Sequence, residues 1–292
     1  MLCIRRSFAA PSLGFRLDSH LGLSRRHRIV AARIDGDFVF DGKLAPREPR
    51  SPRTYAYIVL RGELRLPTRG SVVPAGSLLV AKSRHDVFEV EGARHVRPFR
   101  ALGIQVERAL FPFERSEIAP LAEATHTSAR ELFALLGRRD ATPARLAETH
   151  ARLLDALRRQ GLAIDVDALL DDPPPTAQEH AIARALSHAL SQSNTRPALV
   201  DLTFEGLTER TARRLLHGVA AEYGFTYPGW RSLRRAWSAA IASILLTCPA
   251  STPASVCQAV GFSSPASLCH ALNRAGLLAP RALQAAAIAA RG

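Results

Sequence analysis

Between positions 28 and 107 the chain alternates short apolar runs with turn residues: "RIVAARIDGDFVFDG", "YAYIVLRGELRL", "GSVVPAGSLLVA", "HDVFEVEG" and "FRALGIQVE". Runs of this length, bounded by glycine, proline and aspartate, predict strands at the spacing of a small barrel or sandwich. After Phe113 the period becomes that of a helix. The stretch "TPARLAETHARLLDALRRQG" has Thr142 as a cap, Pro143 in the first position, Leu146, Leu153, Leu154 and Leu157 on one stripe, and Gly161 as a stop. Its job is packing, either on the strands or across a dimer interface, and the pattern does not separate the two. "DDPPPT" at 171–176 reads as an extended linker, because three successive prolines lack the amide donors of a helix.

Beyond the linker the helical period persists. "TAQEHAIARALSHALSQ" opens with Thr176 and Glu179 in capping-box positions and turns Ile182, Leu186, Ala189 and Leu190 inward. A short helix "PALVDLTF", a turn at Glu205, Gly206 and Leu207, and a longer helix "TERTARRLLHGVAAEYG" follow. Ala212, Leu215, Leu216 and Val219 form its inward stripe, leaving Arg210, Arg213, Arg214 and His217 on the other side. "GWRSLRRAWSAAIASILLTC" places Trp230, Leu233, Trp237, Ala240, Ile241, Ile244 and Leu245 on one stripe and Arg231, Arg234 and Arg235 off it. "TPASVCQAVGF" then ends at Gly261, and Ser264 and Pro265 restart a helix that buries Leu268, Ala271 and Leu272. Ser267, His270, Asn273 and Arg274 face out. Two units of short helix, turn and longer helix result, the longer helices starting at Thr208 and Ser264 and joined by one long helix.

At 292 residues the chain is long enough for two or three domains. No run of about 18 apolar residues occurs, which argues against a membrane span. The formal charge of +13 is uneven: residues 1–110 hold 20 Lys and Arg against 10 Asp and Glu, residues 111–176 hold 8 against 11, and residues 177–292 hold 11 against 5. Basic ends favour polyanions through counterion release. Cys3, Cys248, Cys257 and Cys269 form no C-x-x-C pair and read as small apolar fillers in a reducing compartment, the last three on helices. Arg5, Arg6, Ser7 and Phe8 resemble the start of a twin-arginine leader, but Arg16 and Asp18 interrupt the apolar stretch that should follow. Residues 1–27 are therefore expected to be a disordered start.

The phrases "IVLRGELRL" and "PAGSLLV" resemble a cupin-like sensor barrel. Cupins that act as metal enzymes carry a H-x-H pair, a nearby Glu and a later His. Here "SRHDVFEVEG" has His85 but Val87 where the second His would stand, and Glu89 and His95 do not restore the spacing. Three good ligands and an open position are the usual minimum for catalytic metal chemistry, so no metal and no cofactor are expected.

Residues 177–285 resemble the DNA-binding domain of AraC/XylS-type transcription regulators. The most specific phrase, "SVCQAVGFSSPASLCHALNRAGLLAP", is similar to the family pattern at Val260, Gly261, Phe262, Ser264, Gly276 and Pro280, and the first unit is similar at Leu202, Thr208, Arg214, Leu215, Gly224 and Trp230. Departures are Leu268 and Leu272 at aromatic core positions, His270 at a usually basic position, and Thr203 for the usual Ala. The resemblance implies an α+β multidomain chain: a cupin-like β-barrel over 28–110, a helical packing or dimerisation segment over 111–170, a linker over 171–176, and an all-α domain with two helix-turn-helix units over 177–292. It implies a DNA-binding set of Arg210, Arg213, Arg214, His217, Arg234, Arg235, Ser264, Ser267, His270, Asn273 and Arg274. In the second unit the positions matching the family's base-reading face are Pro265, Ala266, Cys269 and His270.

The implied partners are double-stranded DNA and RNA polymerase, with a small-molecule effector and a homodimer left open, in the cytoplasm on the nucleoid and not at a membrane. No reaction is implied, so the chain is not expected to be an enzyme. Two alternatives stay open: a cupin-type metal enzyme fused to a helix-turn-helix domain, and a protein-interaction module with a degenerate DNA face.

Overall fold

A computed structural model describes residues 1–40, 53–66, 71–81, 93–113, 117–138, 140–191, 208–224 and 229–289. The chain is α+β, an antiparallel sheet followed by helices. The strands are β1 (Leu2–Ala10), β2 (Phe15–Leu23), β3 (His27–Asp35), β4 (Phe38–Phe40), β5 (Arg53–Leu66), β6 (Ser71–Pro74), β7 (Ser77–Ala81), β8 (Ala93–Glu107) and β9 (Glu117–Pro120). Their order is β1-β2-β3-β8-β5-β7-β9, with β4 added to β8 and β6 to β5. Among the described residues no pairing joins β1 to β9, so the expected barrel is seen as a sheet that does not close on itself.

Residues 1–27 are not a disordered start. Leu2, Ile4, Phe8 and Ala10 alternate to one face of β1, and Phe15, Leu17, Leu21 and Leu23 do the same on β2; all are buried. Arg5 and Arg6 occupy consecutive positions of β1, Arg5 between the buried positions and Arg6 in line with Ile4 and Phe8, at the strand period of two. The sheet also continues past position 110, because β9 pairs with β7 from Ser77 opposite Pro120 to Val80 opposite Glu117.

One face of the sheet carries Ile29, Ala31, Ile58, Leu102, Ile104 and Val106. Against it pack the helices α1 (Glu123–Leu136), α2 (Pro143–Arg159) and α3 (Val166–Leu170), through Ala129, Leu132, Leu153, Leu154 and Leu157. The helical middle thus packs on the sheet. Thr142 caps α2 by accepting from the Arg145 amide at 3.3 Å, and Gly161, at φ +101°, allows the chain to leave it.

The opposite face receives α4 (Ala177–Ser191), α5 (Glu209–Glu222), α6 (Trp230–Leu246), α7 (Pro253–Val260), α8 (Pro265–Arg274) and α9 (Pro280–Ala289). Leu2, Ile4, Leu21 and Leu23 share one core with Ile182, Leu186, Leu216, Tyr223 and Trp230. A second core joins Phe38, Phe99 and their neighbours to Ile241, Leu245, Leu268, Leu272 and Leu283. The linker at 171–176 therefore does not isolate 177–292 as a unit with its own core. Helix α4 also covers the β1 edge: the Arg5 amide donates to Ser187 Oγ at 3.0 Å, satisfying a group that an edge strand leaves unpaired.

Candidate nucleic-acid interface

Helix α5 starts at Thr208, whose hydroxyl accepts from the Thr211 amide at 3.2 Å. Ala212, Leu216, Val219 and Ala220 are buried, and Arg210, Arg213, Arg214 and His217 are exposed on the remaining surface. Arg213 is not free: it donates to Glu209 at 2.6 Å, one turn back. The short helix and turn expected before Thr208 lie outside the described residues, as do Leu202, Thr203 and Glu205.

The α7–α8 unit is present throughout. Pro253 opens α7 after Thr252, which exchanges hydrogen bonds with Ser255. Gly261 ends α7 at φ +80°, where its amide and that of Phe262 both donate to the Cys257 carbonyl, at 2.8 and 2.9 Å. Ser264 then caps α8, its hydroxyl accepting from the Ser267 amide while the Ser264 amide donates to Ser267 Oγ, both at 3.1 Å. Val256, Cys257, Val260, Leu268 and Leu272 are buried, and α8 lies against α6 and α7. Pro265, Ala266, His270, Asn273 and Arg274 are exposed, and Ser267 and Cys269 are half-buried. Ser264 and Ser267 are thus engaged in shaping the helix start. Leu268 and Leu272 fill the core beneath α8.

On α6, Arg231 and Arg235 are exposed and Arg234 is half-buried. Cys248, expected on a helix, sits just past the end of α6, and all four cysteines are free thiols. The region of the expected H-x-H comparison, 83–92, lies outside the described residues, and the side chain of His95 is not described either.

Residues between sheet and helices carry polar contacts that the sequence did not single out. Arg25, in the turn between β2 and β3, reaches Glu179 at 3.2 Å, Glu222 at 3.0 Å and Asp172 at 3.8 Å, and lies over the Tyr223 ring at 5.1 Å. Arg28 donates to the Tyr223 and Gly224 carbonyls at the end of α5. Burial pushes the Glu179 carboxyl up, but hydrogen bonding from Thr176, whose amide donates to it at 2.6 Å, and from Tyr223, together with the charge of nearby Arg25, outweighs it, so its pKa lies below the ordinary value. Two strand-end arginines therefore tie the linker, the start of α4 and the end of α5 to the sheet.

Arg6 lies over Trp237 of α6 at 5.1 Å and donates from Nε to Ser19 Oγ at 3.0 Å; burial pulls its pKa down to about 10. On the other face, His27 of β3 and His150 of α2 stack at 4.7 Å, both buried. Burial lowers the His27 pKa to about 4 and that of His150 well below its usual value.

No family model matches the chain, and no curated protein matches it. Among solved structures the chain is similar to ToxT from Vibrio cholerae O395, with 9% identity over 92% of this chain and 99% of that chain and a TM-score of 0.35. It is similar to unsaturated fatty acid bound ToxT from Vibrio cholerae strain SCE256, with 10% identity over 90% and 96% and a TM-score of 0.33. Similarity to the AraC-like transcriptional activator CuxR is 10% identity over 93% and 81%, with a TM-score of 0.31. At these values the similarity decides neither family nor function. Among the described residues no helix is long and apolar enough to cross a membrane.

Proposed function

We propose that the chain is a sequence-specific DNA-binding transcription regulator of the AraC/XylS type, with α5 and α8 as the recognition helices of two helix-turn-helix units bridged by α6. The observation that carries this reading is the α7–α8 unit, in which Gly261, Ser264 and Pro265 set a tight turn before an exposed helix start. A helix presented this way fits the major groove of B-DNA, with its first turn toward base edges. Arg210, Arg213, Arg214 and His217 on α5 supply donors to guanine and phosphate; Arg234 and Arg235 on α6 supply phosphate contacts. On α8, Pro265 and Ala266 offer only apolar contact, and Ser264, Ser267, His270, Asn273 and Arg274 hold the backbone.

The sheet is the sensor side, and Arg25 and Arg28 are the joints through which a change in it reaches α5. RNA polymerase and a second copy of the chain are the protein partners of this reading, which requires no cofactor and no catalysis. Selecting bound sequences from random duplex DNA tests it. The full chain enriches a defined motif, and binding weakens as salt rises because phosphate contacts release counterions. Recovery of unenriched sequence, or salt-independent binding, favours a protein-interaction module and refutes the proposal.

A further inference from the structure

Strand register sets three arginines side by side. Arg100 of β8 lies directly opposite Arg33 of β3 on one side and Arg61 of β5 on the other. Directly opposed residues of antiparallel strands project to the same face, and neighbouring strands lie about 4.8 Å apart, so the three side chains rise from one row. The row continues the face that carries Leu102 and Ile104, past the apolar patch against which α1 and α2 pack. Arg33 and Arg61 are exposed and Arg100 is half-buried.

Like charges directly opposite one another destabilise a sheet unless something neutralises them. Arg33 has Asp35 at 3.5 Å, and Asp18, opposite Arg33 on β2, is held by Arg16 at 2.8 Å. Among the described residues no carboxylate pairs with Arg61 or Arg100, and the buried Nε of Arg100 has no hydrogen-bond partner. The register is irregular on both sides of Arg61, and Gly62 takes φ +79° there. This bulge aims the Arg61 side chain while keeping it opposite Arg100.

We propose that this row binds a phosphorylated small molecule carrying at least two negative charges. Guanidinium forks match phosphate oxygens two at a time, and a multiply charged oxyanion removes the repulsion among the three side chains. The row lies on the sheet face opposite the one that receives α4–α9, so its occupant is a separate small ligand and not the duplex assigned to α5 and α8.

The test is calorimetric titration of the full chain with inorganic pyrophosphate, at constant ionic strength set by chloride. Saturable binding at one site is expected, weakened roughly tenfold or more in Arg61→Gln/Arg100→Gln while duplex DNA binding is unchanged. Arg61→Gln alone, on an exposed side chain, serves the same comparison with a smaller loss if the double variant is unstable. Without ligand at low salt, Arg100→Gln should raise the Tm by relieving repulsion, and the gain should vanish at high salt. The site is overturned by absence of saturable binding, by equal pyrophosphate affinity in both variants, or by a lower low-salt Tm in Arg100→Gln. Parallel loss of duplex binding in the double variant assigns the row to the DNA surface and overturns it as well.

Discussion

The Arg213 guanidinium donates to the Glu209 carboxylate one turn earlier on α5, across 2.6 Å. Arg213, on the exposed polar face of α5, is therefore held by an acid on its own helix. An exposed pair of this kind contributes only about 0.3–0.5 kcal/mol to stability. Glu209→Gln should leave the Tm nearly unchanged while tightening duplex binding several-fold, by freeing Arg213 and removing a negative charge. Weaker binding in Glu209→Gln, measured by fluorescence anisotropy, shows that Glu209 positions Arg213 for DNA instead of competing with it.

The shared cores predict the behaviour of the excised helical region. Residues 177–292 expressed alone lose Leu2, Ile4, Leu21 and Leu23 as partners of Ile182, Leu186 and Trp230. Each such side chain stabilises by about 1.5–3 kcal/mol when fully buried. The fragment should unfold well below the full chain and bind an apolar dye. A fragment with the full chain's cooperative melt means that the sheet contributes nothing to the helical core.

Arg25→Ala should loosen the joint between linker, α4 and α5. It leaves Asp172 and Glu179, both largely buried, without their cation, at a cost of about 1–3 kcal/mol. Hydrogen exchange should quicken at Asp171, Asp172 and Thr176 and at the end of α5 around Tyr223, with β5 and β8 unaffected. Uniform quickening across the sheet contradicts a local joint.

The stacked histidines predict acid lability. Their folded pKa values lie below the unfolded value near 6.5, so the unfolded chain binds protons first as pH falls. The stability that neutral His27 preserves is full above about 6.5 and is lost as pH drops toward 4, on the order of 3 kcal/mol. His27→Phe keeps a stacking ring without a titrating group and should flatten the fall in Tm between pH 6.5 and 4. An unchanged slope places the acid sensitivity elsewhere.

What the sequence revealed was local. Gly261, Ser264 and Pro265, the Thr176 and Glu179 box, and the Leu153, Leu154 and Leu157 stripe each work within one or two turns, and each appears where the pattern places it. Strands β1 and β2 escaped because Arg5, Arg6, Arg16 and Asp18 break up the apolar runs, although Leu2, Ile4, Phe8 and Ala10 keep the strand period. Arg6 in particular sits among inward positions only because Trp237, far along the chain, lies over it. β9 has four residues and takes its identity from β7 alone. The Arg25 contacts and the row of Arg33, Arg100 and Arg61 depend on strand register and domain packing, which no local period encodes. For α5 and α8 the exposed faces were legible, but the Glu209 partner of Arg213 was not singled out.

If α5 reads sequence while α8 anchors the DNA backbone, the two helices respond differently to base changes in the motif recovered by selection. Affinities of the wild type, Arg213→Ala and His270→Ala are measured against every single-base change in that motif. Arg213→Ala should flatten discrimination at one or two base pairs, by about 1–3 kcal/mol each, while His270→Ala lowers affinity evenly across the panel. Sharper loss of discrimination in His270→Ala, or even weakening from both substitutions, contradicts the account.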